Sequence, residues 1–243
     1  MRKTVILVGV TSALGKALVR EFAVNNYDLV CCSRQKRQGR IIAQDAALRF
    51  GVKTSYYQYD AKKLKTHGQL LHKIKSEHHN VVGLIIIHGY LDENDGLHLT
   101  LEGLRTLISI NFESIVTFTK TFANMFNKEG NFVAVVSSIA GDRGKERNLV
   151  YNAVKRATST YLQGFRQAAK GIHVLDVKPG FIDTPMTWGS VDSRLIASRE
   201  KVAKDIVQAI HARKRVLYTP FFWKYIMLLI KHIPGPIYDR LKL

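Results

Sequence analysis

Ser138, Tyr151 and Lys155 are of types, and at spacings, that can work together as one proton donor. Tyr151 and Lys155 are four residues apart, so on a helix they share a face. An ammonium beside a phenol favours the phenolate. The tyrosine pKa is therefore expected to fall, bringing proton donation near neutral pH within reach. Ser138 lies 13 residues before Tyr151, just past an apolar run, which puts its hydroxyl at the tip of a predicted strand.

A scaffold must bring these groups together. Thr4 to Val8 (TVILV) is a continuous apolar run, as a strand buried on both faces should be. Residues 28–32, 53–58, 82–87, 131–137, 172–177 and 215–219 read as further strands. Helical patterns lie between them, at 17–24, 39–50, 64–76, 101–126, 149–169 and 198–213. The stretch 101–126 reads as two helices meeting near Ser109–Asn111. This alternation predicts a doubly wound α/β fold, a parallel sheet of about seven strands with helices on both faces. Ligands in such sheets bind beyond the carboxyl ends of the strands. The glycine loop after the first strand, Asp60, Ser138 and Pro179 all fall at such ends. No repeat or low-complexity linker interrupts residues 1–243, so one domain is expected, with 220–243 as a C-terminal amphipathic extension.

Composition narrows the classes. Hydrophobic residues make up 46% of 243, enough for a packed core. Cys31 and Cys32 are adjacent and alone, so neither a disulfide nor a metal site is expected, and a reducing compartment fits. The opening apolar run is too short for a signal peptide, and no stretch approaches the roughly 18 apolar residues of a spanning helix. A cytoplasmic location is expected, with a peripheral place at the inner face of a membrane as an extension of it. The net charge of +18 is concentrated at the sequence ends: residues 1–80 hold 15 basic and 5 acidic side chains, and residues 199–243 hold 10 and 3. That excess suits a phosphorylated ligand or an anionic membrane surface. Nucleic acid is not an expected partner, because basic and aromatic residues do not interleave and no nucleic-acid motif is present.

Gly9-Val10-Thr11-Ser12-Ala13-Leu14-Gly15 links a strand to a helix. Gly9 allows a tight turn and Gly15 close helix–strand packing, while the helix N-terminus offers N–H groups to a pyrophosphate. Gly9, Thr11, Ser12, Leu14 and Gly15 are thus candidate cofactor contacts. The second strand ends in Cys31-Cys32-Ser33-Arg34, with no acid to accept bonds from the ribose of NAD. Arg34, with Lys36 and Arg37 nearby, can instead pair with a 2′-phosphate. NADP(H) is the preferred cofactor on this reading, with NAD(H) as the alternative.

The loop now resembles the TGxxxGxG pattern of the short-chain dehydrogenase/reductase family, with Val8 and Ala13 as departures. The resemblance is most specific at Tyr151-Asn152-Ala153-Val154-Lys155 with Ser138 upstream. Asn111 in SINFES matches the asparagine of the family tetrad, and Lys178 to Met186 (KPGFIDTPM) matches the segment beside the nicotinamide. The resemblance implies a Rossmann fold and a ketoreductase. Tyr151 would protonate the carbonyl oxygen, and Lys155 would lower its pKa and bond the nicotinamide ribose. Ser138 would hold the substrate oxygen, and Asn111 would position a water toward Lys155. Asp60 would bond the adenine. Pro179, Gly180, Ile182 and Thr184 would line the carboxamide end. The family's usual NNAG is here Ile87-His88-Gly89-Tyr90, so Gly89 keeps the last glycine and His88 reads as a structural loop residue. A homodimer or homotetramer is implied.

GVTSALG, HGYLDEN, SSIAGDRGKERNLVYNAVK and VKPGFIDTPMT also resemble a narrower group, the bacterial reductases of the decaprenylphosphoryl-2-keto-pentose (arabinose pathway) type. That implies a keto-sugar on a polyprenyl phosphate, with Asp142, Arg143 and Gly144 carrying the narrowing. Another lipid ketone (3-ketoacyl, sterol or sphingoid) and a non-catalytic NADP-binding scaffold stand as alternatives. Residues 220–234 are apolar and aromatic, with Lys224 and Lys231 seven apart and expected to face one way. A helix lying on a membrane and a helix packed on the body both fit this stretch.

Overall fold

The apolar run Thr4–Val8 forms β1, buried along its whole length. Its side chains alternate between two cores: Val5 and Leu7 enter one, Ile6 and Val8 the other. The computed structural model describes residues 2–183 and 195–241. β1 lies between β2 (Asp28–Ser33) and β4 (Val81–Ile86), with β3 (Thr54–Gln58) beyond β2. On the other side follow β5 (Asn131–Val136), β6 (Ile172–Pro179) and β9 (Val216–Thr219). The order is β3-β2-β1-β4-β5-β6-β9, every pairing is parallel, and the sheet has seven strands, as the alternation predicts. The chain reverses direction across the sheet between β1 and β4, which opens a crevice at their carboxyl ends.

Helices cover both faces. α1 (Ala13–Val24), α2 (Lys36–Phe50) and α7 (Arg199–His211) pack on one core through Leu18, Phe22, Ala43, Val202 and Ile206. α3 (Thr66–Glu77), α5 (Ser114–Phe126) and α6 (Leu149–Ala168) pack on the other through Leu71, Ile74, Phe118, Phe122 and Leu162. The predicted break near Ser109–Asn111 is a π-helical turn, Ser109–Glu113, between α4 (Leu101–Ile108) and α5. The wider turn carries Asn111 into the interior, where it is fully buried. Several boundaries differ from the sequence reading by a few residues; α2 starts at Lys36 rather than 39, and β6 runs on to Pro179. A ladder of β7 (Phe181–Ile182) and β8 (Ile196–Ala197) is too short to leave a periodic signal.

The C-terminal segment folds onto the body as α8 (Trp223–His232) and α9 (Gly235–Tyr238). Trp223 and Met227 are buried with Ile139. Asp142 follows a 3-10 turn, Ile139–Gly141, and anchors the segment. One carboxylate oxygen lies 2.5 Å from Lys178 Nζ; the other accepts from Tyr218 at 2.7 Å and lies 3.1 Å from Lys231 Nζ. Arg143 donates to the Lys231 carbonyl at 3.0 Å and lies 4.2 Å from the Tyr238 ring centre. The Tyr238 hydroxyl donates to the Gly144 carbonyl at 2.7 Å. One expectation is corrected here. The Lys224 and Lys231 side chains do not present together, because Asp142 draws Lys231 inward while Lys224 stays exposed. Asp142, Arg143 and Gly144 each bond the C-terminal segment.

Burial opposes ionisation of Asp142, but hydrogen bonds from Lys178, Tyr218 and Lys231 outweigh it and hold the carboxyl below its ordinary 3.8. Asp142→Asn leaves buried Lys178 with only the more distant Asp176, 4.0 Å away, as counter-charge and should cost about 3–5 kcal/mol. At roughly 2–4 °C per kcal/mol for a chain of this size, thermal melts at pH 7 should show a drop on the order of 10 °C. A depressed carboxyl pKa stabilises the fold above pH 3.8 and loses that contribution as pH falls through the folded value. The gap between wild type and variant should therefore close only in acid.

Candidate active site

A cleft of about 760 Å³ opens at the carboxyl ends of the central strands. Gly9, Thr11, Ser12 and Leu14 line it after β1, and Arg34 lines it after β2. Gly9 has φ +102°, a left-handed conformation that favours glycine, and a β-carbon there would come within 2.8 Å of the His88 backbone nitrogen. A β-carbon on Gly15 would overlap the Gly9 carbonyl. Ser12 caps α1 by accepting from the Gly15 N–H at 3.0 Å. The turn is therefore tight despite Val8 and Ala13, and the helix N-terminus faces the cleft. Arg34 is exposed, and Lys36 and Arg37 begin α2 beside it. Asp60 also lines the cleft and accepts the Lys62 N–H at 3.0 Å, closing a turn.

The opposite wall carries Ser138, Tyr151 and Lys155 together. Ser138 accepts the Ala140 N–H at 3.0 Å, and its hydroxyl is near enough to the Tyr151 phenol to act against the rise of its pKa. Lys155 is 2% exposed; its Nζ donates to the Val136 carbonyl at 3.2 Å and lies 5.5 Å from the Tyr151 ring centre. Asn111 sits behind Gly89. A β-carbon on Gly89 would lie 3.3 Å from Asn111 Oδ1 and 3.5 Å from Lys155 Nζ, so glycine leaves the space between them clear. Asn111 donates to the carbonyls of Tyr90 (2.8 Å) and Leu107 (3.1 Å) and accepts the Tyr90 N–H at 3.1 Å. Both amide hydrogens are thus committed to backbone. Pro179, Gly180 and Ile182 line the cleft below, and Ile182 pairs with Ala197 in the β7–β8 ladder. Thr184 lies outside the described residues.

The family model described as short chain dehydrogenase matches residues 3–194. The chain belongs to the short-chain dehydrogenase family. It is 25% identical over 242 residues to an uncharacterized oxidoreductase of Mycobacterium tuberculosis, spanning 98% of this chain and 96% of that protein. It is 24% identical over 196 residues to a 3-oxoacyl-acyl-carrier-protein reductase of Chlamydia muridarum, spanning 79% of each. Among solved structures, a short-chain dehydrogenase from Sphingobium yanoikuyae in complex with NADPH superposes with a TM-score of 0.81 at 22% identity, covering 96% of this chain and 97% of that one. A 3-oxoacyl-acyl-carrier-protein reductase from Brucella melitensis in complex with NAD gives 0.80 at 20% identity, covering 90% and 95%.

In this short-chain dehydrogenase the electrostatics differ from the first expectation. Burial pushes the Tyr151 phenol up to about 12, against a lowering by the Ser138 hydroxyl. Burial also pushes the Lys155 ammonium down to about 8, opposed by the negative charge of Asp176. The expected fall of the tyrosine pKa is thereby corrected: an ammonium 5.5 Å from the ring centre, itself desolvated, does not offset the cost of burying a phenolate. His88 bears out its structural reading. Its Nε2 lies 2.8 Å from the Ser114 hydroxyl, and burial lowers its pKa to about 3, so the imidazole is neutral.

Three residues escaped the sequence reading. Lys16 and Arg199 line the cleft, one a residue past the glycine loop, the other at the start of α7. Asp95 reaches the backbone of Tyr151 from a loop 56 residues earlier, and nothing local marks it. The group nearest neutrality in the site is Lys155, whose charge is lost as pH rises through about 8. A pH–rate profile should therefore fall on its alkaline side near that value, and Lys155→Met should lower turnover at least about 100-fold at pH 7.

Proposed function

We propose that this enzyme is an NADPH-dependent ketoreductase with Tyr151 as its general acid. The supporting observation is that Ser138, Tyr151 and Lys155 share one cleft with the Gly9–Gly15 loop. The open glycine turn, the α1 N-terminus and Arg34 fit a dinucleotide phosphate. When bound, the nicotinamide supplies the hydride. The Ser138 hydroxyl holds the substrate oxygen. Tyr151, with its pKa raised to about 12, stays protonated at neutral pH and delivers its proton as charge develops on that oxygen. The Lys155 ammonium lends a partial counter-charge to the phenolate left behind and would bond the nicotinamide ribose. Asn111, with Gly89 keeping the space open, sets the end of a proton relay to Lys155. Pro179, Gly180 and Ile182 would meet the carboxamide end and Asp60 the adenine end, with Thr184 added to the former on the sequence alone. Solved relatives carry NADPH or NAD, so the choice in this chain rests on Arg34 with Lys36 and Arg37.

The substrate on this reading is a ketone on a lipid carrier, a keto-sugar on a polyprenyl phosphate, reduced at a membrane surface. Lys145, in the DRGKER segment before the catalytic helix, is half-buried and makes no ion pair among the described residues. Such a cation suits a phosphate. No described helix is long and apolar enough to cross a membrane. α8 is instead apolar on two sides. Trp223 and Met227 face the body, while Phe221 and Leu229 are 75% and 72% exposed, with Tyr225 and Leu228 beside them. A helix with two apolar sides calls for two apolar neighbours, and among the described residues the protein supplies one. Lys224, Arg213, Lys214, Arg215 and Arg240, all exposed, would meet anionic headgroups. The 3-oxoacyl reductases among the relatives favour a second reading, a 3-ketoacyl substrate.

NADPH oxidation should be followed with a lipid-phosphate-linked 2-keto-pentose and a 3-oxoacyl thioester. Tyr151→Phe should cut turnover about 100- to 10,000-fold, and Arg34→Asp should raise KM for NADPH but not for NADH. Equal turnover in wild type and Tyr151→Phe would sink the acid assignment, and the faster ketone decides the substrate class. In flotation assays the enzyme should bind phosphatidylglycerol vesicles, and Leu228→Glu with Leu229→Glu should release it while the melting curve stays in place. Vesicle binding unaffected by the double substitution would remove α8 as the contact.

A further inference from the structure

The helix that carries Tyr151 and Lys155 begins without a cap of its own. Asn148 stands at its N-cap with φ 60° and ψ 49°, a left-handed conformation, and its side chain makes no capping bond. The first turn holds no acidic residue. Helix N-termini leave several N–H groups without acceptors, and Tyr151 N–H is one of them. Its acceptor comes from elsewhere. Asp95, 6% exposed, puts one carboxylate oxygen 2.9 Å from the Val150 nitrogen and the other 2.7 Å from the Tyr151 nitrogen. Its own carbonyl accepts the Asn148 N–H at 3.0 Å. No cation pairs with this buried carboxylate among the described residues, so the helix N-terminus is what compensates its charge.

The same loop holds a second member of the site. Tyr90 exchanges two backbone hydrogen bonds with the Asn111 amide. Its hydroxyl donates to Asp92 at 3.0 Å, and the Asp92 carbonyl accepts the Asp95 N–H at 3.1 Å. A continuous chain therefore runs Asn111–Tyr90–Asp92–Asp95–Tyr151. It lies in the segment after β4, where the family's asparagines are missing.

We propose that Asp95 is a positioning residue for catalysis: its carboxylate clamps the backbone of Tyr151 and so sets the phenol against Ser138, while the same loop sets Asn111. The inference rests on Tyr151 being the acid. The clamp has an electrostatic side too. A fixed negative charge at the helix N-terminus opposes the partial positive charge that would otherwise favour a phenolate on the first turn. The charged and titratable groups around Tyr151 are Lys155 on its own helix, Asp95 and Tyr90 from the loop, His88 at the end of β4 and Asp176 on β6. Only Asp95 is altered in the test.

Asp95→Asn keeps the shape and one acceptor oxygen but turns an N–H group toward one of the two amides. Steady-state kinetics on the full-length protein should show kcat lowered at least tenfold, with KM for the ketone and the NADPH dissociation constant within threefold of wild type. The alkaline limb of the pH–rate profile should shift to lower pH, because removing a nearby negative charge disfavours the Lys155 ammonium that sets it. Asp95→Glu, which keeps the charge, should leave that limb in place. A lowered melting temperature with kcat per folded molecule and pH profile unchanged would overturn the proposal and leave Asp95 a cap only. Should Asp95→Asn fail to fold, Asp95→Ser, whose hydroxyl can cap only one of the two amides, tests the same clamp, and an unchanged kcat per folded molecule there would overturn it. Tyr151→Phe separates the two readings: if it remains active, the acid assignment has failed. If it is inactive while Asp95→Asn keeps its kcat, only the clamp has failed.

Discussion

Lys155 carries an ammonium into a place almost closed to water, where burial alone would strip its proton. Two features keep the charge. The Val136 carbonyl accepts from it at 3.2 Å, and Asp176 on the neighbouring strand lends a negative field. Val136 ends β5 and Asp176 lies within the neighbouring β6, so the charge survives only if the two strands keep their register. Val136 pairs with Val177 and Val135 with Asp176, which is the register required. The parallel sheet is thus a condition of the chemistry as well as its support.

Asp176 does not act alone. It accepts from the Ser137 hydroxyl and lies 4.0 Å from Lys178, which pairs with Asp142. Asp142 in turn holds Tyr218 and Lys231. A buried polar network therefore runs from beneath Lys155 to the C-terminal helix. Buried charges of this kind are tolerated because each is paired and hydrogen-bonded. The C-terminal segment is consequently part of the active-site wall's support: Trp223 covers Gly180, and Gly180 lines the cleft.

Much of the fold was legible because its signals are local. β1, β4 and β5 are buried on both faces, so their sequences are nearly unbroken apolar runs. The break at Asn111 was legible as a junction, although its π-helical form was not. Ser138, Tyr151 and Lys155 were legible from spacing, and the fold brings them to one cleft as that spacing implied. The direction of the tyrosine pKa was misread, because spacing on a helix gives proximity and says nothing of how much water surrounds the pair. Lys231 was misread for a related reason: helical periodicity gives a direction only, and Asp142 supplies the partner from 89 residues away.

By itself the sequence determined the strand and helix order, the glycine turn, the absence of a ribose-binding acid and the tyrosine–lysine pair. Each of these depends on residue type and on neighbours within a turn or a strand. Tertiary structure alone decided which charges are paired, how far Tyr151 and Lys155 are desolvated, and that Asp95 caps the helix bearing them. It also decided that α8 packs one apolar side on the body and leaves another exposed. The physical reason is the same in each case. Desolvation and ion pairing depend on every group within a few ångströms, and most of those groups come from distant parts of the chain.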